Sequence, residues 1–183
     1  MKIKENITKS IIQSYNSVDK SLSIQSLHSN RSKEFIENFA HILRKEYFKD
    51  KSIYRVFSRH FSENRNEFKT NELLYDISVC SISFVLSPNK NKLLYIKKAI
   101  WQIESELHET DSHASLVDFN KLVLGSAENK LFICSNIKFL ETLLPAAKCC
   151  SGKIFICIIP HPRKWDKIDI KSYQLLNKKW VEN

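Results

Sequence analysis

Glycine and proline are scarce in this sequence, with two Gly and four Pro among 183 residues. This excludes a Walker-type nucleotide loop and a dinucleotide-binding fingerprint, because both need closely spaced glycines. The five cysteines are odd in number and form no Cys-x-x-Cys pair, which argues against a disulfide framework and a cysteine zinc site. No apolar run approaches the roughly 18 residues of a membrane span. We therefore expect a chain of the reducing cytoplasm with no membrane partner.

Hydrophobic residues and positive charge are abundant instead. Hydrophobic residues make up 43% of the chain, which is enough to build a core, and the formal net charge is +9. A basic balance of this size favours a polyanionic partner, of which nucleic acid is the commonest. A generally lysine-rich surface would produce the same charge, so charge alone leaves both interpretations open.

Apolar spacing divides the chain into two parts. Residues 3–18 have the three- and four-residue spacing of an amphipathic helix. Residues 21–32 contain five serines, a composition typical of a loop or linker. The sequence therefore predicts an N-terminal helical arm and Ser-rich linker over residues 1–32. An α/β domain with a basic C-terminal tail is predicted over residues 33–183.

Within the larger part, helical and extended patterns alternate. A helix is predicted from residue 33, with Ser32 as its N-cap, and Ser87–Lys92 is a strong turn signal between two extended segments. The order predicts an α/β fold in which a mixed β-sheet with an antiparallel hairpin is flanked by helices. The predicted helices are 33–48, 112–125 and 136–148, and the predicted strands are 53–57, 73–86, 93–107, 131–134 and 154–159.

The predicted hairpin gathers acidic side chains. Side chains alternate along a strand, so Glu104 and Glu106 share one face of theirs. If residues 88 and 92 pair across the turn, Asp76 lies opposite Glu104, although a slip of one or two residues stays open. Like charges directly across strands are destabilising, and a divalent cation would reverse that effect. Mg²⁺ or Mn²⁺ is therefore the expected cofactor. The alternative is that both glutamates form the wet face of an edge strand.

At these residues the chain resembles the PD-(D/E)xK nuclease superfamily, whose restriction-endonuclease-like fold has an αβββαβ core. The resemblance covers about residues 33–160. Asp76 in Leu73-Leu74-Tyr75-Asp76-Ile77 looks like the hairpin Asp of that family. Glu104-Ser105-Glu106 looks like its acidic-x-Lys element. The resemblance implies a Mg²⁺-dependent endonuclease that hydrolyses phosphodiester bonds in DNA, in restriction or phage defence.

The match to the family is incomplete at one position. Glu106 stands where most members have Lys, and Lys121 on the following helix would suit members that supply the lysine from there. The resemblance implies that Asp76 and Glu104 bind the metal, that Glu106 binds metal or orients water, and that Lys121 supports the transition state. Glu72 is a further metal-binding candidate. Glu34 and Glu37 are the candidates for an acidic residue from the first helix.

Basic residues precede the acidic strand. Arg55, Arg59 and Arg65 are candidate phosphate contacts, and a basic surface loop is the alternative interpretation. DNA is the expected partner, and a homodimer or a larger protein complex stays open. The competing hypothesis for the whole chain is a non-catalytic subunit with a nuclease-like fold that binds nucleic acid or protein.

Overall fold

The computed structural model describes residues 2–47 and 53–183. In this part of the chain no helix is long and apolar enough to cross a bilayer. The helices are α1 (Ile3–Ser17), α2 (Ile24–Tyr47), α3 (Glu63–Phe68), α4 (Ser112–Leu124) and α5 (Phe139–Ala147), and a 3-10 turn spans Pro162–Lys164. The strands are β1 (Tyr54–Phe57), β2 (Ile77–Leu86), β3 (Lys92–Glu106), β4 (Asn129–Cys134), β5 (Lys153–Ile158), β6 (Lys171–Leu176) and β7 (Lys179–Glu182).

All seven strands form one mixed sheet, and their order in the sheet is their order in the chain. The strands β1, β2 and β3 are antiparallel, β3, β4 and β5 are parallel, and β6 and β7 return to antiparallel pairing. The predicted α/β class, antiparallel hairpin and parallel second part are therefore confirmed. The carboxyl ends of β1, β3, β4 and β5 lie at the same edge as the start of β2, which is called the carboxyl edge below.

Each face of the sheet is covered by its own helices. On one face Ile77, Ile103 and Leu131 pack with Ile7 of α1 and Phe35 of α2, all fully buried. On the other face Phe132 and Ile156 pack with Phe119 of α4 and Leu143 of α5. Cys157 of β5 faces the first core and Ile156 faces the second, which explains the uninterrupted apolar run of that strand.

The Ser-rich segment is helical, which corrects the predicted linker over residues 21–32. The helix α2 begins at Ile24, and the Ser23 hydroxyl accepts a 3.3 Å bond from the Ser26 amide, as an N-cap does. Ser32, the predicted cap, lies inside α2 and donates to the His28 carbonyl at 3.0 Å. The serines serve as a cap and as internal hydrogen-bond donors, and residue 48, the predicted helix end, lies outside the described residues.

The tail contains a β-hairpin that the sequence analysis did not predict. Asn177 and Lys178 join β6 to β7 with positive φ values of 49° and 62°, the geometry of a tight type I′ turn. The hairpin leaves Trp180 on the body of the protein, where its indole N–H donates to the Leu140 carbonyl at 2.9 Å. The basic tail therefore extends the sheet by two strands.

Candidate active site

Asp76 and Glu104 meet at the carboxyl edge of the sheet. Asp76 directly precedes β2, and the pair of that ladder nearest to it is Ile77 with Ile103. The Asp76 amide donates to Glu104 Oε1 at 3.3 Å. The predicted opposition of Asp76 and Glu104 is therefore confirmed.

The Asp76 carboxylate is fixed by the neighbouring strand. Its Oδ2 accepts from the amide of Ser105 at 2.9 Å and from the Ser105 hydroxyl at 2.7 Å. Burial nevertheless raises the pKa of Asp76, and the two Ser105 bonds oppose that rise. Adjacent residues of β3 thus have different roles. Glu104 supplies a carboxylate, and Ser105 holds the Asp76 carboxylate in place.

Glu104 is more buried than Asp76, with 1% of its surface exposed to solvent. Burial is the main cause that raises its pKa to about 8, and the neighbouring charge of Asp76 adds to the rise. A carboxyl group is rarely found fully buried unless it is paired. A perturbed acid of this kind beside a second acid marks a functional-site candidate.

Lys121 reaches Glu104 from the overlying helix α4. Its Nζ lies 3.2 Å from Glu104 Oε2 and 2.8 Å from Asp118 Oδ1, three residues earlier on the same helix. Partial burial lowers the pKa of Lys121, but the ion pairs with Asp118 and Glu104 outweigh that effect and raise it overall. The structure therefore places Lys121 of the following helix beside Glu104, and its role in the reaction stays a prediction.

Asp118 is the acidic residue that sequence reasoning missed. Its charge adds to burial in raising the pKa of both Asp76 and Glu104, and its carboxylate shares the ammonium group of Lys121 with Glu104. The signal available in the sequence was the three-residue spacing of Asp118 and Lys121, which places both on one face of a helix.

The end of α4 is held close to the strands that carry the acids. The Tyr75 hydroxyl donates to the Lys121 carbonyl at 3.1 Å, and Gly125 ends the helix as predicted. A side chain at Gly125 would overlap the Gln102 amide oxygen and the Tyr75 hydroxyl. The absence of a Cβ at Gly125 therefore allows the helix end to approach β3, which positions Lys121 over Glu104.

The acidic candidates Glu106 and Glu72 lie near the same edge without joining the pair. Glu106 ends β3, and its Oε1 accepts from the His108 amide at 2.8 Å. Glu72 is exposed, and its carbonyl accepts from the Thr70 hydroxyl at 2.6 Å. No hydrogen bond or ion pair within residues 2–47 and 53–183 connects either carboxylate to Asp76 or Lys121. Their proposed roles in metal binding stay predictions.

The three arginine candidates separate into two groups. Arg55 forms a two-pronged contact with Glu67 of α3, with distances of 2.5 and 2.9 Å. Arg59 and Arg65 are exposed instead and share a surface pocket with Glu72. That pocket measures about 280 Å³ and is lined by Arg59, Arg65, Lys69, Thr70, Asn71 and Glu72.

Glu37, a candidate from the helix α2, is hydrogen-bonded to the segment that follows β1. It accepts from the Ser58 hydroxyl at 2.7 Å and from the His60 amide at 3.0 Å. These bonds anchor the segment that follows β1 to helix α2. Glu37 therefore holds the segment after β1 in place at the carboxyl edge and takes no part in the acid pair.

The donor set of the acid pair fits a magnesium ion held by few protein ligands. Among the described residues no group of three or more His, Cys, Asp or Glu side chains is arranged to hold a metal. Mg²⁺ commonly takes only one or two carboxylates and fills its shell with waters and phosphate oxygens. Asp76 and Glu104 would supply two such carboxylates, and a cation there would offset the charge repulsion that raises the Glu104 pKa.

No protein-family model matches this chain, and no curated protein matches it significantly.

Proposed function

We propose that this chain is a metal-dependent nuclease that hydrolyses phosphodiester bonds in DNA at the carboxyl edge of its sheet. The observation that carries the proposal is the meeting of three side chains from three elements. Asp76 and Glu104 approach each other from paired strands, and Lys121 contacts Glu104 from the following helix. Two carboxylates with one lysine form a set able to hold a divalent cation beside a positive group.

Each side chain has a distinct role in the proposed reaction. Asp76 and Glu104 would hold Mg²⁺ or Mn²⁺, and the ion when bound would supply an activated water and stabilise the developing negative charge. Lys121, held by Asp118, would stabilise charge on the phosphate oxygens. Glu106 would help to orient water from the same face of β3.

The topology is consistent with the resemblance to PD-(D/E)xK nucleases. Apart from the short helix α3 between β1 and β2, the order α2, β1, β2, β3, α4, β4 is the αβββαβ series that the resemblance implies. The antiparallel strands β1, β2 and β3 precede the parallel strand β4, and the acid pair lies on the hairpin of β2 and β3. This agreement supports membership of that superfamily as part of the proposal.

Basic groups surround the carboxyl edge and support a nucleic-acid substrate. Arg59 follows β1 on one side of the acid pair, and Arg163 and Lys164 follow β5 on the other. Glu109 pairs with both Arg163 and Lys164, so a single negative charge opposes two positive ones. A polyanion along this edge would meet cations on both sides of Glu104.

One contact also favours the competing hypothesis of a non-catalytic nucleic-acid-binding subunit. The ion pair of Lys121 with Glu104 partly balances the buried carboxylate without any metal. Under that hypothesis the acid pair is a structural remnant. DNA would then bind in a salt-dependent manner whether or not a divalent cation is present.

Cleavage of plasmid DNA tests the proposal. We expect the protein to nick or linearise supercoiled plasmid in Mg²⁺ or Mn²⁺ and to leave it intact in EDTA. Asp76→Asn keeps the size of the side chain but removes its charge, so it should lower the cleavage rate by at least roughly a hundredfold, about 2.7 kcal/mol in activation free energy. The readout is the rate of loss of supercoiled DNA on a gel.

Glu141→Gln is the matched control, because Glu141 is an exposed acid on α5 that takes no part in the site. It should cut like the unmodified protein. Equal cleavage by the Asp76→Asn protein would contradict the proposal. DNA binding without any cleavage in either metal would favour the non-catalytic alternative.

A further inference from the structure

The hairpin of β2 and β3 extends well beyond the rest of the sheet. β1 pairs with β2 only between Ser78 and Ser81, and β4 pairs with β3 only from Trp101 to Glu106. Residues 83–98, called the distal ribbon here, have no neighbouring strand among the described residues. The ribbon therefore projects beyond the other described strands, at the edge opposite the acid pair.

The tip of the distal ribbon is well defined. The Ser87 amide donates to the Asn91 carbonyl at 2.9 Å, and the Lys90 amide donates to the Ser87 carbonyl at 2.8 Å. The Ser87 hydroxyl also accepts from the Asn91 amide at 3.1 Å. The turn is thus a compact polar end that carries Pro88.

The charge of the hairpin is of one sign. Between Asp76 and Glu104 the sequence contains no acidic residue and four lysines. Lys98 is paired with Glu128, and Lys92 lies over the Phe84 ring with its Nζ 4.4 Å from the ring centre. The ribbon therefore presents a concentrated positive charge. The four lysines are Lys90, Lys92, Lys97 and Lys98.

Large apolar side chains are exposed on both faces of the ribbon. Pairing of Phe84 with Leu94 and of Ser83 with Tyr95 places Phe84 and Tyr95 on opposite faces. Several exposed apolar side chains gathered on one element usually mark an interaction surface. The exposed fractions are 54% for Phe84, 53% for Val85, 60% for Leu86, 51% for Leu93, 45% for Tyr95 and 38% for Ile96.

Charge decides between the occupants of this surface. A second copy of the ribbon would bring lysines against lysines, which is unfavourable. Insertion into a lipid bilayer would require the polar turn from Ser87 to Asn91 to enter the apolar phase first, which is also unfavourable. Duplex DNA satisfies both features, because phosphates take the lysines while apolar wedges insert between base steps or pack on sugars. A two-stranded ribbon also has the dimensions to enter a DNA groove.

We propose that the distal ribbon is a second DNA-binding element, which enters a groove of the same duplex that the acid pair would cut. Ser87 at the ribbon tip is eleven residues from Asp76, so at roughly 3.3 Å per strand residue the tip lies about 36 Å from Asp76. At about 3.4 Å per base pair, the two elements would engage sites roughly eleven base pairs apart. The inference rests on the proposed function only in taking duplex DNA as the polyanion.

Binding of a 30-base-pair duplex in EDTA tests the ribbon without any cleavage. Fluorescence anisotropy over a series of salt concentrations would compare the unmodified protein with the triple variant Lys90→Ala, Lys92→Ala, Lys97→Ala. Each lysine that contacts a phosphate contributes about one unit to the slope of log K against log salt. We expect the triple variant to lose roughly two to three units of slope. Lys9→Ala, Lys33→Ala, Lys148→Ala removes the same charge elsewhere and should leave the slope unchanged.

A second variant separates the apolar contribution. Phe84→Ala with Tyr95→Ala should weaken binding by roughly tenfold or more, with an unchanged salt slope and an unchanged circular dichroism spectrum. Equal slopes for the ribbon and control triples would overturn the inference. Two other results would also overturn it. One is a dimer in sedimentation that Phe84→Ala with Tyr95→Ala dissociates while DNA affinity stays constant. The other is that these substitutions weaken binding to phosphatidylserine vesicles but not to DNA. A plasmid that is bound through the ribbon but never cut would instead refute only the proposed nuclease activity.

Discussion

Glu104→Gln is expected to abolish cleavage while leaving the metal-free protein at least as stable as before. Glutamine keeps the shape of the side chain but cannot supply an anionic metal ligand, so the rate should fall at least roughly a thousandfold, or about 4 kcal/mol in activation free energy. Stability should not fall, because the substitution removes a buried carboxylate that is repelled by Asp76. Plasmid cleavage and thermal unfolding in EDTA measure the two effects on the same preparation.

The combination of these effects is the diagnostic result. A purely structural Glu104 would lose stability on substitution, because its ion pair with Lys121 would be broken without compensation. Glu141→Gln should leave both activity and melting temperature unchanged. A Glu104→Gln protein that still cuts at the original rate would contradict a catalytic role for this carboxylate. One that melts many degrees lower would show that the ion pair with Lys121 outweighs the cost of burying the carboxylate.

The second large effect concerns pH. The pKa of Glu104 is raised from its ordinary value of 4.5 to about 8 in the folded protein, chiefly by burial. Between these values the folded state binds more protons than the unfolded state, so the free energy of unfolding falls as pH rises through this window. Asp76 is shifted in the same direction. We expect a loss on the order of a few kcal/mol between pH 5 and pH 8 in EDTA.

The difference between two proteins isolates this effect. Histidines such as His41, whose pKa is lowered mainly by burial, make an opposite contribution near pH 6.5. They are common to the unmodified protein and to Glu104→Gln, and they cancel in the difference. Denaturant unfolding at each pH should give a steeper decline for the unmodified protein, and millimolar Mg²⁺ should flatten it. Parallel curves for the two proteins would show that Glu104 does not titrate in this range.

The position of the acid pair could be predicted from the sequence, although one step of the prediction was wrong. The assumed pairing of residues 88 and 92 does not occur, because Leu86 pairs with Lys92. Two irregularities, between Val79 and Cys80 and between Ser81 and Ile82, each insert one extra residue in β3. Together they shift the pairing by two residues, so the predicted register holds at Ile77. The shifted turn and the two irregularities in β3 therefore cancel at the site.

Other features could not be predicted because local signals gave way to tertiary contacts. Serines in residues 21–32 indicated a linker, yet a helix forms from Ile24 onward because the segment packs on the body. Arg31, for example, is buried and donates to the Pro162 carbonyl at 2.8 Å. The turn at Asn177 lacks the glycine that usually marks a type I′ hairpin. The contact of Lys121 with Glu104 required both the helix and the strand to be placed correctly.

Divalent-cation binding measured by isothermal titration calorimetry tests the central claim most directly. We expect the protein to bind Mn²⁺ at one site with release of protons near pH 7, because Glu104 must lose its proton to act as a ligand. Asp76→Asn and Glu104→Gln should each abolish that binding, and Glu141→Gln should keep it. Equal Mn²⁺ binding by all four proteins, or none by the unmodified protein, would contradict a metal site built from Asp76 and Glu104.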